Sequence, residues 1–147
     1  MTLPRMVTWA LFESIPSRKR FYYYNTHFAH RRDDEEARLK SVDVILARIA
    51  KLPAAVPFLM TGDFNANAGG PVQQKFLAGL SDAWTATTKR VGPEGTFHGF
   101  GGKSREGRID WILYRGPWKA IEVETVTRSE NGRYPSDHFP VFARLEL

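Results

Sequence analysis

Phe21, Tyr22, Tyr23 and Tyr24 follow one another without a polar break. A strand sends successive side chains to opposite faces, so this run places large rings on both. Such a strand is stable only where both faces are covered, and the chain must therefore build layers. A covering element follows. From about Asp33 to Leu52 the residues Val42, Ile45, Leu46 and Ile49 fall at i, i+3, i+4 and i+7, which draws one apolar stripe on a helix. The acidic run Asp33 to Glu36 suits the positive end of the helix dipole, and Asp33 and Glu36 have the spacing of a capping box. Pro53 closes the helix.

Around this unit the pattern predicts further strands at Arg5 to Glu13, Phe21 to His27, Pro57 to Thr61, Arg108 to Tyr114, Ala120 to Thr127 and Phe139 to Leu147. A short helix is expected over Val72 to Leu80. The glycine-rich, basic stretch Val91 to Arg108 reads as a long surface loop. Strands mixed with helices of these lengths indicate an α/β (α+β layered) fold. With 147 residues, 42% hydrophobic, no repeat and no linker, one domain over 1–147 is expected.

The chain has no cysteine, which excludes disulfides and Cys-ligated zinc or iron–sulfur sites. No apolar run approaches the roughly 18 residues of a membrane span. Met1 to Ala10 is interrupted by Pro4 and Arg5 and does not read as a signal peptide, so a soluble protein is expected, with the cytoplasm as the default compartment. The net charge of +5 fits a phosphorylated or polyanionic partner, nucleic acid included, and equally an ordinary solubilising surface.

Chemistry-bearing residues gather at strand ends, where sheet proteins build sites. Four segments are in question: Asn25-Thr26-His27, Gly62-Asp63-Phe64-Asn65, Arg108-Ile109-Asp110-Trp111, and Ser136-Asp137-His138-Phe139-Pro140. Phosphoester hydrolysis needs an activated water, neutralised phosphoryl oxygens and help for the leaving oxygen. Asp63 is suited to orient or deprotonate the water. Asn65 is suited to hold a phosphate oxygen or a metal-bound water. Carboxylate and amide oxygens are hard ligands that suit Mg²⁺ or Mn²⁺, and Asp137 is the best single candidate, with Asp63 and Asn65 beside it. His138 follows Asp137 directly, so both reach one pocket only if the chain bends there. Asn25, His98 and Arg108 are candidates for the substrate side. His30, Arg31 and Arg32 have two readings, a phosphate contact or a solvated basic turn. Trp9, Trp84, Trp111 and Trp118 read as core rather than as base-stacking platforms.

The four segments, in this order, resemble the C-terminal motifs of the endonuclease/exonuclease/phosphatase (DNase I-like) superfamily. The stretches Gly95 to Phe100 and Gly132 to Pro135 look like a bacterial branch of it. The resemblance runs from the Trp9 strand to Leu147. It implies half of a DNase I-like four-layer sandwich, a mixed β-sheet with helices on one face. It also implies a divalent-metal-dependent phosphodiesterase, nuclease or phosphatase. In that scheme His138 contacts the scissile phosphate, Asp110 hydrogen-bonds His138, and His27 is a phosphate contact or proton donor.

A complete member also carries an Asn near its start and a metal-binding Glu on a following strand, and neither motif occurs here. Two consequences are expected. The inner sheet face is left open, which favours a homodimer, with a fragment of a longer chain as the alternative. The function is a metal-dependent phosphoesterase, with a catalytically impaired binding or dimerisation half-domain as its alternative.

Overall fold

A computed structural model describes residues 3–104 and 107–147. The first hairpin joins β1 (Val7–Glu13) to β2 (Arg20–His27). Helix α1 (Glu35–Ile49) then carries the chain over to β3 (Phe58–Asp63), which lies parallel to β2. A parallel pair needs such a crossover, and the amphipathic helix supplies it. After α2 (Pro71–Leu77), β4 (Ser81–Asp82), α3 (Ala83–Ala86) and β5 (Arg90–Val91) come β6 (Asp110–Arg115), β7 (Lys119–Thr125) and β8 (Val141–Glu146).

Two sheets result. Five strands lie in the order β1-β2-β3-β6-β4, and three in the order β5-β7-β8. One face of the larger sheet presents Tyr24, Phe58, Met60, Trp111 and Leu113 to Val42, Ile45 and Ile49 of α1 and to Val72 and Phe76 of α2. Its other face sends Leu59, Ile112 and Tyr114 against Val123, Val141, Ala143 and Leu145 of the smaller sheet. The aromatic run is divided between these layers by strand alternation. Tyr24 meets Phe58 on the helix side, with ring centroids 5.0 Å apart, and Phe21 meets Trp118 on the other side at 5.4 Å. The layered mixed α/β fold thus follows the expectation, with both longer helices on one face.

Several local expectations are corrected. Helix α1 ends at Ile49, before the closing proline, and its start uses no Asp33–Glu36 box; instead the Asp34 carboxylate accepts the Arg31 N–H at 3.2 Å. The second helix begins at Pro71, whose missing N–H costs nothing in a first turn. The stretch 91–108 is not a surface loop throughout, since Thr96, His98 and Arg108 within it are buried. Among the tryptophans, Trp84 and Trp111 are core as expected, but Trp9 on the edge strand β1 stays 47% exposed.

Candidate functional site

Strand register alone assembles most of the site. His27 is the register partner of Asp63 across the parallel β2/β3 pair, and Asp63 is the partner of Asp110 across the antiparallel β3/β6 pair. Directly opposed residues share a face, so His27, Asp63 and Asp110 form one row at the end of three strands. Gly62 permits the close approach there: a Cβ on it would stand 2.2 Å from the Thr26 carbonyl oxygen.

His138 enters this row from the segment before β8. Its Nδ1 lies 2.8 Å from Asp110 Oδ2, and its Nε2 lies 3.8 Å from Asp63 Oδ2. The Asp63 Oδ2 is also 3.2 Å from His27 Nε2. The bend at residues 135–137 meets the condition set by the sequence, because Asp137 and His138 both line one cleft of about 1280 Å³. His27, Asp63, Asn65 and Asp110 line the same cleft. Asn65 adopts a left-handed backbone (φ 47°), donates its own N–H to Asp63 Oδ1 at 2.8 Å, and donates its side-chain amide to the Phe28 carbonyl at 3.1 Å.

One contributor escaped the sequence reading. Thr96, fully buried, accepts the backbone N–H groups of Ile109 and Asp110 on its hydroxyl at 3.3 and 3.4 Å. Its carbonyl accepts the Phe139 N–H at 2.8 Å. Phe97 forms an antiparallel bridge with His138, and His98 and Gly99 donate their N–H groups to the Asp137 carbonyl. Segment 96–99 therefore holds both Asp110 and His138 through one residue and its neighbours. Nothing in hydrophobic period marks Thr96; the only signal was the Gly95 to Phe100 stretch as a whole.

Two expected substrate-side residues are placed elsewhere. His98 has no exposed surface: its ring stacks on Phe139 at 4.0 Å and its Nδ1 accepts the Gly102 N–H. Arg108 is 2% exposed and grips the buried Asp82 carboxylate, with Nη2 to Oδ2 at 2.6 Å, so its charge is spent inside the fold. Asn25 borders a shallower hollow shared with Asp63, Asp110 and His138, and its amide donates to Thr61 Oγ1 at 2.8 Å.

The electrostatics couple these groups. Burial holds the Asp63 carboxyl above its ordinary range; the Asn65 N–H opposes this, while the Asp110 charge adds to it. The Asp110 hydrogen bond raises the His138 imidazole, partly offset by burial, with the charges of Asp110, Asp63 and Asp137 adding to the rise. Ligand atoms of Asp63, Asp110 and His138 lie within 4.8 Å of one another, a grouping fit for a metal ion. The trio expected from sequence was Asp137, Asp63 and Asn65; Asp63 belongs to both sets, and Asn65 and Asp137 line the same cleft.

The Endonuclease/Exonuclease/phosphatase family matches residues 4–138. This chain belongs to that family. Among solved structures it is similar to a mannosyl-6-phosphatase of Bacteroides thetaiotaomicron, with 27% identity, a TM-score of 0.89, and 99% of this chain against 58% of that one. A functionally unknown conserved protein of Enterococcus faecalis shares 34% identity at a TM-score of 0.86, covering 95% of this chain and 55% of the other. The human Nocturnin catalytic domain, determined with a bound sulfate anion, shares the fold at 20% identity and a TM-score of 0.77, covering 97% of this chain and 52% of that one. The chain thus spans little more than half the length of these three solved structures. A comparison with curated proteins gives no match.

Proposed function

We propose that this chain carries the phosphate-handling half of a divalent-metal-dependent phosphoesterase. The observation that supports it is the row His27–Asp63–Asp110 closed by His138, with the Asp110–His138 contact at 2.8 Å. The carboxylate fixes the imidazole with Nδ1–H toward Asp110, and His138 then directs Nε2 toward the cleft side of Asp63. Its raised pKa favours the cationic form, which suits a contact to a phosphoryl oxygen. Asp63 orients the attacking water and takes its proton. His27, more exposed and beside Asp63, supplies a proton to the leaving oxygen.

The donor set fits Mg²⁺ or Mn²⁺. Two carboxylates oppose each other across β3 and β6, and a hard cation relieves that repulsion. Asp63 and Asp110 would hold it, with Asn65 and Asp137 of the same cleft as further oxygen donors. A bound cation neutralises charge on the phosphoryl group. The alternative is a half-domain that binds phosphorylated ligands without turnover.

A generic phosphodiester and a set of phosphomonoesters, sugar phosphates among them, are offered with Mg²⁺ or Mn²⁺. Hydrolysis is expected with metal, and Asp63→Ala or His138→Ala should lower it by about 10²–10⁴-fold. Unchanged rates in both variants would sink the assignment. Metal binding without turnover in calorimetry would favour the binding half-domain.

A further inference from the structure

The basic turn after His27 remains unused by this chemistry, and it lines the same cleft. Arg5, His30, Arg31, Arg32 and Arg38 form the α1 end of the cleft lining, with Glu35 as the carboxylate among them. Arg38 is 6% exposed and sits beneath the turn, donating to the carbonyls of Ala29, Arg31 and Arg32 at 2.9, 2.8 and 3.4 Å. Those acceptors are neutral. Among the described residues no carboxylate lies within 4.0 Å of the Arg38 guanidinium, so a buried positive charge stands without a counter-ion.

A second observation concerns Arg5 and His30. The Arg5 Nη2 lies 3.2 Å from His30 Nδ1. A guanidinium only donates, so Nδ1 is the acceptor and the His30 proton sits on Nε2. Arg5 Nε is buried without a partner. The pair thus leaves the imidazole Nε2–H and the guanidinium Nε–H without an acceptor among the described residues. His30 follows His27 by three residues, a span of about 10 Å at most.

We propose that Arg5, His30 and Arg32, over the buried Arg38, form a second oxyanion subsite that takes a phosphate group of the substrate other than the scissile one. The inference rests on the phosphoesterase reading for its kinetics but not for its binding. An oxyanion there supplies the counter-charge that Arg38 lacks and accepts the free N–H groups of Arg5 and His30. The preferred substrates would then carry two phosphates, as a nucleotide bisphosphate or a 5′-phosphorylated dinucleotide does.

The experiment has two arms. Inorganic phosphate is titrated into metal-free protein while the His30 ring and Arg5 Nε resonances are followed. Saturable shifts are expected, weakened tenfold or more in Arg5→Gln/Arg32→Gln, with His30→Gln as a second variant and thermal melts to verify the fold. In the kinetic arm, the ratio of kcat/KM for a 5′-phosphorylated dinucleotide to that for the same dinucleotide without the extra phosphate is compared. A ratio of about ten or more in the native protein, falling toward one in the variants, supports the subsite. No shift at His30 or Arg5, or a ratio unchanged by the variants, overturns it. Absence of hydrolysis of either dinucleotide would count against the phosphoesterase reading alone, because phosphate binding is read without turnover.

Discussion

At the scale of single residues, the Asp110–His138 contact controls the charge of the site. The His138 imidazole is raised above its ordinary value of 6.5, first by its hydrogen bond to Asp110. A group whose folded pKa is raised adds stability that is fully present below the unfolded value and disappears as pH rises through the folded one. The ring resonances of His138 in metal-free protein should therefore titrate above the ordinary imidazole range. In Asp110→Asn the midpoint should move down, and the stability gained on lowering pH through this window should shrink. A His138 midpoint that Asp110→Asn leaves in place would show that the 2.8 Å contact does not set the proton. The sequence offered both residues and their pairing through the family resemblance. It did not offer the Arg5–His30 contact, because residues separated by 25 positions meet there only through the β1–β2 register.

Among the elements, segment 96–99 joins the strand carrying Asp110 to the bend carrying His138. Its hydroxyl and carbonyl anchors come from one residue, Thr96. Thr96→Val keeps the shape and removes the acceptor from two buried N–H groups, a loss of about 1–3 kcal/mol. The expected outcome is a fall in kcat of about tenfold with KM little changed, since misplacement affects the reacting geometry rather than ground-state binding. Thr96→Ser, which restores the hydroxyl, should recover most of the rate. A Ser variant no better than Val would mean that the hydroxyl does not position the site. The glycine-rich composition of 91–108 read as solvated loop, and composition alone could not reveal this. The burial of Thr96, His98 and Arg108 arises because the segment is packed between β6 and the bend before β8. For Arg108 the partner that fixes it, Asp82, lies 26 residues away.

For the whole molecule, the relevant feature is the exposed aromatic rings at the sheet edges. Among the described residues β1 and β8 are edge strands of their sheets; Phe12 on β1 is 48% exposed beside Phe21, and Phe142, 61% exposed, points from β8 to the side opposite Val141 and Ala143. Exposed rings next to unpaired strand edges favour association. We propose that a second copy covers Phe12 at the β1 edge, in a symmetric pair. Light scattering at micromolar concentration should give twice the 16.7 kDa chain mass, and Phe12→Lys should shift it to the monomer. A stable monomer for the unaltered chain removes the dimer.

What the sequence determined by itself is local. Alternation put rings on both faces of β2, the 3.6-residue period drew the covering helix, and the four polar strand ends named His27, Asp63, Asp110, Asp137 and His138. Tertiary structure decided which of these meet and what surrounds them. It aligned His27, Asp63 and Asp110 in one row by strand register, and turned the chain so that Asp137 and His138 share a cleft. It withdrew His98 and Arg108 into the core and placed the buried charge of Arg38 under the basic turn. Register, burial and charge pairing join residues far apart in the chain, and periodicity within one segment carries no information about its partner.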